Sequence, residues 1–167
     1  MCEYCGCQQI PAIAALTAEH DELLAVVRDA AAAARSGDRV AAIEHAAQLL
    51  RLLRPHTQIE EQGLFPPMAR EFAEHVASLQ DDHRRIDRTL ARVADPGYDA
   101  ARWAEELAAA LAELSTHIFR EQDGLFPATI VTLGPADWEE LDRVRVQVTG
   151  EEESPDHVTA IRYSHEA

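Results

Sequence analysis

His56-Thr57-Gln58-Ile59-Glu60-Glu61-Gln62-Gly63-Leu64-Phe65-Pro66 decides the fold, because it recurs as His117-Ile118-Phe119-Arg120-Glu121-Gln122-Asp123-Gly124-Leu125-Phe126-Pro127. In both copies a Glu follows the His by four places, and Gly-Leu-Phe-Pro closes the stretch at the same offset. A second His leads each copy. Leu16-Thr17-Ala18-Glu19-His20 is answered by Leu79-Gln80-Asp81-Asp82-His83, and the gaps to His56 and His117 are 36 and 34 residues. One His-x-x-x-Glu says little. Two of them with matched leaders predict two helical hairpins, each bringing two His and one Glu to a common centre.

The rest of the chain fits that frame. Its 167 residues suit one domain with a core of its own. Ala, Leu, Glu and Arg dominate over aromatic and β-branched residues, which points to an all-α fold. A net charge of −15 argues against nucleic acid or an anionic membrane surface as partner. Every basic residue is Arg, so Lys-nucleophile and Schiff-base chemistry are excluded. No apolar run has transmembrane length, and the N-terminus lacks a basic region followed by an apolar one, so the expected location is the cytoplasm.

Taken in order, residues 1–9 form a Cys-rich leader and 10–133 an antiparallel up-down-up-down four-helix bundle. A short C-terminal fifth helix follows at 134–148, and 149–167 make a flexible acidic tail. The first helix runs from Pro11 to Arg35, where Ser36-Gly37-Asp38 ends it and caps the next. The second runs from Arg39 into the 63–67 region, with Pro55 expected to kink it one turn before His56. The third covers about 72–93. Asp95-Pro96-Gly97 is a turn, and Asp99 is placed to cap the fourth helix. His20 and His56 then lie about 24–27 Å from their shared turn at 1.5 Å per residue, so they are level. His83 and His117 match less closely, and an extended 95–98 connection makes up the difference.

Each of these four His stands in an apolar stripe where a Leu belongs, so four imidazoles and two carboxylates converge in the interior. Burying facing carboxylates without compensation costs several kcal/mol, and either protons and hydrogen bonds or bound cations supply that compensation. Helix axes 8–10 Å apart leave room for two ions about 3.5–4 Å from one another, bridged by carboxylates. Mixed imidazole and carboxylate ligation suits iron, with manganese and zinc behind it. His45 and His75 have no echo and read as surface residues, and His157 and His165 as solvated ones.

His20, His56-x-x-x-Glu60, His83 and His117-x-x-x-Glu121, with the shared Gly-Leu-Phe-Pro endings, resemble the hemerythrin-like HHE cation-binding family over about residues 12–130. Ferritin-like di-iron bundles carry Glu-x-x-His instead, which this chain lacks at the key positions. The resemblance implies a four-helix bundle around two iron ions, oxo- or hydroxo-bridged. In that reading His20, His56, His83 and His117 are terminal ligands, and Glu60 and Glu121 are carboxylate bridges. Oxygen-carrying members have His-x-x-x-His on the third helix, where this chain has Asp87. Asp87 is then a seventh ligand, a hydrogen-bonding neighbour, or an ion-pair partner of Arg84 or Arg88. Losing that His disfavours reversible O2 carriage. It favours irreversible chemistry with O2, peroxide or NO, as in members linked to oxidative or nitrosative stress or iron homeostasis. Catalase-like or NO-reactive turnover is one form of this, and a sensor or storage module without turnover, or a reversible O2 carrier, is the alternative. A homodimer is compatible with either.

Cys2-x-x-Cys5-x-Cys7 stands apart. Three thiolates at this spacing suit zinc or iron with a fourth ligand from His157, His165 or another chain, or a redox switch, or simply a reduced leader.

Overall fold

The computed structural model describes residues 6–98 and 101–150. Cys2, Cys5, Asp99, His157, His165 and the expected acidic tail from 151 onward lie outside the described residues. Among the described residues every regular element is helical. A 3-10 turn, Cys7–Gln9, leads into α1, Pro11–Ser36, with Pro11 in its first turn. Gly37 takes the left-handed conformation, φ 76°, and ends α1. The Asp38 side chain then accepts a bond of 3.1 Å from the Ala41 N–H at the start of α2, Arg39–Ile59. The helix runs on through Pro55.

Where Gly-Leu-Phe-Pro reads as an ending, the chain stays helical but changes pitch. Glu60–Leu64 form a π turn, with the Phe65 N–H donating to the Glu60 carbonyl five residues back. The ring of Pro66 would press on the carbonyl four residues before it in an α-helix, and the wider turn relieves that contact. Next comes α3, Phe65–Val93, which is broken at Phe72 by φ −120° and ψ 40°. The second arm of the fold therefore ends at Phe72, five residues after Pro67. The second copy repeats the device. α4, Trp103–Arg120, passes into a π turn at Glu121–Leu125 and then α5, Phe126–Thr132. Gly134 starts α6, Pro135–Thr149, donating its N–H to Asp137 Oδ2 at 3.0 Å.

α1 packs on α2 and α4, and α3 packs on the same two helices. The apolar core falls into two clusters. One holds Leu23, Leu49, Leu53, Ile86, Leu90 and Leu114. The other holds Ile13, Leu16, Ile59, Phe65, Leu79 and Phe126. His20 lies between Leu16 and Leu23, His56 between Leu53 and Ile59, and His83 between Leu79 and Ile86. The buried His20, His56, Glu60, His83, His117 and Glu121 side chains thus form a layer that divides the core.

α6 seals one end of this arrangement, packing on the first π turn and on α2. Gly63 makes that approach possible. A Cβ there would stand 2.7 Å from Leu141 Cδ1 and 3.1 Å from the Leu141 Cα. Gly124, its counterpart, meets nothing closer than His75 Nε2 at 3.8 Å. Gly63→Ala is therefore expected to cost about 1–3 kcal/mol through overpacking against backbone. Gly124→Ala should be neutral or stabilise by up to about 1 kcal/mol. Urea unfolding of the two metal-free variants checks the contrast, and equal effects would refute it.

Candidate metal centre

Helical spacing brings the six side chains to one level. The Nε2 atoms of His20 and His56 face each other at 3.0 Å, and those of His83 and His117 at 2.9 Å. The two glutamates lie between these pairs. Glu60 Oε2 is 3.3 Å from His56 Nε2 and 3.5 Å from His83 Nε2. Glu121 Oε1 is 3.2 Å from His117 Nε2, and its Oε2 is 3.3 Å from His20 Nε2. Two potential ion sites result. One is His20, His56, Glu60 and Glu121, and the other is Glu60, His83, His117 and Glu121, with the ligand atoms of each within 4.8 Å of one another. Both glutamates belong to both groups.

The donor set fits metal ions. Both oxygens of Glu60 and both of Glu121 are buried, and none has a hydrogen-bond partner among the described residues. Buried carboxylate oxygens normally find donors, and four orphaned ones at a single point call for cations. Two imidazoles and two shared carboxylates per group match the ligation preferred by iron, manganese or zinc.

Around this layer two of the four ring nitrogens facing away are held by acids. His56 Nδ1 is 2.7 Å from Glu19 Oε2, and His83 Nδ1 is 2.9 Å from Glu61 Oε1. His117 Nδ1 is 3.6 Å from Asp82 Oδ2, outside hydrogen-bond range, because Arg85 and Arg120 hold the two Asp82 oxygens. His20 Nδ1 has no hydrogen-bond partner among the described residues. Such contacts orient a ligand imidazole and raise its basicity. The phenyl rings of the two Leu-Phe-Pro endings complete the wall. Phe126 stacks on His20 at 5.5 Å and 3°, and Phe65 on His83 at 5.6 Å and 12°.

None of these supporting residues follows from regular helical spacing. Glu61 stands about 100° from Glu60 on an α-helix and reads as exposed. The π turn starting at Glu60 shifts that register and lets Glu61 reach His83. Glu19 and Asp82 had a signal, since each immediately precedes a ligand-type His in matching leaders. Asp87 is not among the six. It is 39% exposed and pairs with Arg54 at 2.8 Å, where Arg84 and Arg88 were the expected partners. His45 and His75 are half-buried and outside both groups, and Cys7 is buried at 2% in the apolar cluster beside Ile13 and Leu16. An open groove of about 470 Å³, lined by Thr57, Glu61, His83, Arg84, Asp87 and Arg88, reaches the centre at His83.

The family described as Hemerythrin HHE cation binding domain matches residues 12–129. No curated protein and no solved structure matches the chain.

Without metal the layer is a charge cluster. Burial acts to lower the His83 pKa, yet Glu60, Glu61 and Glu121 outweigh it and raise it from 6.5 to about 10. Burial acts to raise the Glu121 pKa, yet His117 and His20 outweigh it and hold it well below 4.5. His83 therefore contributes stability that is full below about pH 6.5 and lost as the pH rises toward about 10. Glu121 contributes stability present above about pH 4.5 and lost as the pH falls from there. The metal-free protein should be most stable between those limits and weaken steadily above about pH 6.5. Urea unfolding across pH 4–10 tests this, and stability that rises between pH 7 and 10 would contradict it.

Proposed function

Since the chain belongs to the Hemerythrin HHE cation binding domain family, we propose that its interior holds two iron ions that react with O2, peroxide or NO. The carrying observation is the sharing of Glu60 and Glu121 between two four-residue groups, with no other partner for their oxygens among the described residues. His20 and His56 would hold one ion and His83 and His117 the other, with Glu60 and Glu121 available to both. We read the arms as an antiparallel up-down-up-down four-helix bundle. Support comes from the order of the two core clusters, which reverses between α1 and α2 and again into α3.

Iron held by these four-residue groups would supply one-electron redox chemistry. The chain's own contribution is a dry, apolar-walled site in which Glu19 and Glu61 orient two of the imidazoles. The groove at His83, with Glu61 at its edge, is the route by which small ligands approach. Asp87 and Arg54 occupy one another beside it, so the centre has four His and no fifth nitrogen from the third helix. That composition favours reaction over reversible carriage.

Protein purified without added iron should retain close to two metal ions per chain by elemental analysis. His20→Ala or His83→Ala should lose chiefly one ion, whereas Glu121→Ala should lose both, since it serves both groups. Ferrous protein prepared anaerobically should change its absorption irreversibly on exposure to O2, and should consume peroxide or bind NO. Absence of bound metal would refute the reading, and stable reversible oxygenation would refute the chemistry assigned to it.

A further inference from the structure

Several contacts of the centre recur in both halves. Phe65 on His83 answers Phe126 on His20, and Glu60 between His56 and His83 answers Glu121 between His117 and His20. Glu19 beside His56 answers Asp82 beside His117. Each of these two acids is in turn held by an arginine. Asp82 is held by Arg120, which lies inside the second copy of the repeat, one place before Glu121. The first copy has Ile59 at that place, so no guanidinium can come from there. Glu19 is held instead by Arg145 of α6, beyond the residues that the family match covers.

The geometry gives this substitution a purpose. Arg145 lies one helical turn after Leu141, the residue that settles against Gly63, so docking of α6 delivers the guanidinium to Glu19. Arg145 takes Oε1 of Glu19, and Oε2 is left for the ring nitrogen of His56. The Glu19 side chain is 29% exposed and has a path to water. Arg145 is the residue that holds its outer oxygen among the described residues.

We propose that Arg145 is a positioning residue of the metal centre: it clamps Glu19 against His56 Nδ1, so that His56 presents Nε2 to the ion it shares with His20. The helix after the bundle is thereby a working part of the site. This rests on the reading that the His–Glu groups hold ions, and the test separates the two claims.

Arg145→Gln and Arg145→Lys are compared with the unaltered chain in two measurements. The first is Zn(II) affinity by competition with a chromophoric chelator. Arg145→Gln should weaken one of two bound zinc ions by about 10–100-fold and leave the other unchanged, with Arg145→Lys recovering most of the loss. The second uses metal-free protein and records the histidine ring N–H signals by NMR, assigned with His56→Ala. The His56 Nδ1–H should be low-field and slow to exchange, and in Arg145→Gln it should move upfield and exchange faster while the His83 signal stays put. An unchanged His56 signal in Arg145→Gln overturns the proposal, as does equal weakening of both ions. A shifted His56 signal in a protein whose unaltered form takes up no zinc leaves the clamp standing and removes the metal reading beneath it.

Discussion

Two carboxylates sealed away from water, with nothing among the described residues to donate a hydrogen bond to them, set the terms for the rest of this molecule. Glu60 and Glu121 are both 0% exposed and stand between two blocks of aliphatic and aromatic side chains. Bringing a single such ion out of water costs several kcal/mol after relaxation, and two facing one another cost more. His56 and His83, whose Nε2 atoms lie 3.3 and 3.5 Å from Glu60, offset part of that by taking up protons, as their raised pKa values indicate. Cations of higher charge do the same without protons and also order the ligands. Helix lengths, the level of each His and the division of the core all serve that one layer.

The six central side chains were legible in the sequence because two independent regularities agreed. Apolar positions at helical spacing located the inward faces, and the repeat marked which polar residues interrupted them in both halves. Leu107, Leu111, Leu114, His117 and Glu121 form such a face, and all are buried. The endings were less legible. Gly-Leu-Phe-Pro carries the residues that stop helices, but here they follow a widened turn and the helix goes on to Phe72. Reading Glu61 at 100° per residue placed it outward, since a π turn leaves no mark in periodicity. Asp87 lies one turn from His83 and so read as inward, but Arg54 across the groove holds it at the surface. Arg145 could not have been placed at all, because it lies outside both repeats and 126 residues from its partner.

What separates the two halves is as informative as what they share. Gly63 admits a neighbouring helix where Gly124 meets only ordinary contact. Glu61 supports His83, while its counterpart Gln122 is an amide and His20 has no hydrogen-bond partner on its outer nitrogen among the described residues. Arg85 and Arg120 draw Asp82 away from His117, whereas Glu19 stays within 2.7 Å of His56. The inner ligands are alike and the supports are not. The two ligand groups have matching inner donors but unequal surroundings.

The crossing of ligands between hairpins has a mechanical meaning. The site built on His20 and His56 draws Glu121 from the other hairpin, and the site built on His83 and His117 draws Glu60 back across. A cation held by either group would thus be a rivet through both halves, and no hairpin could peel away while its rivet stayed in place. A molecule so loaded would open as one unit or not at all, and its lifetime against proteolysis would be set by how fast the rivets leave.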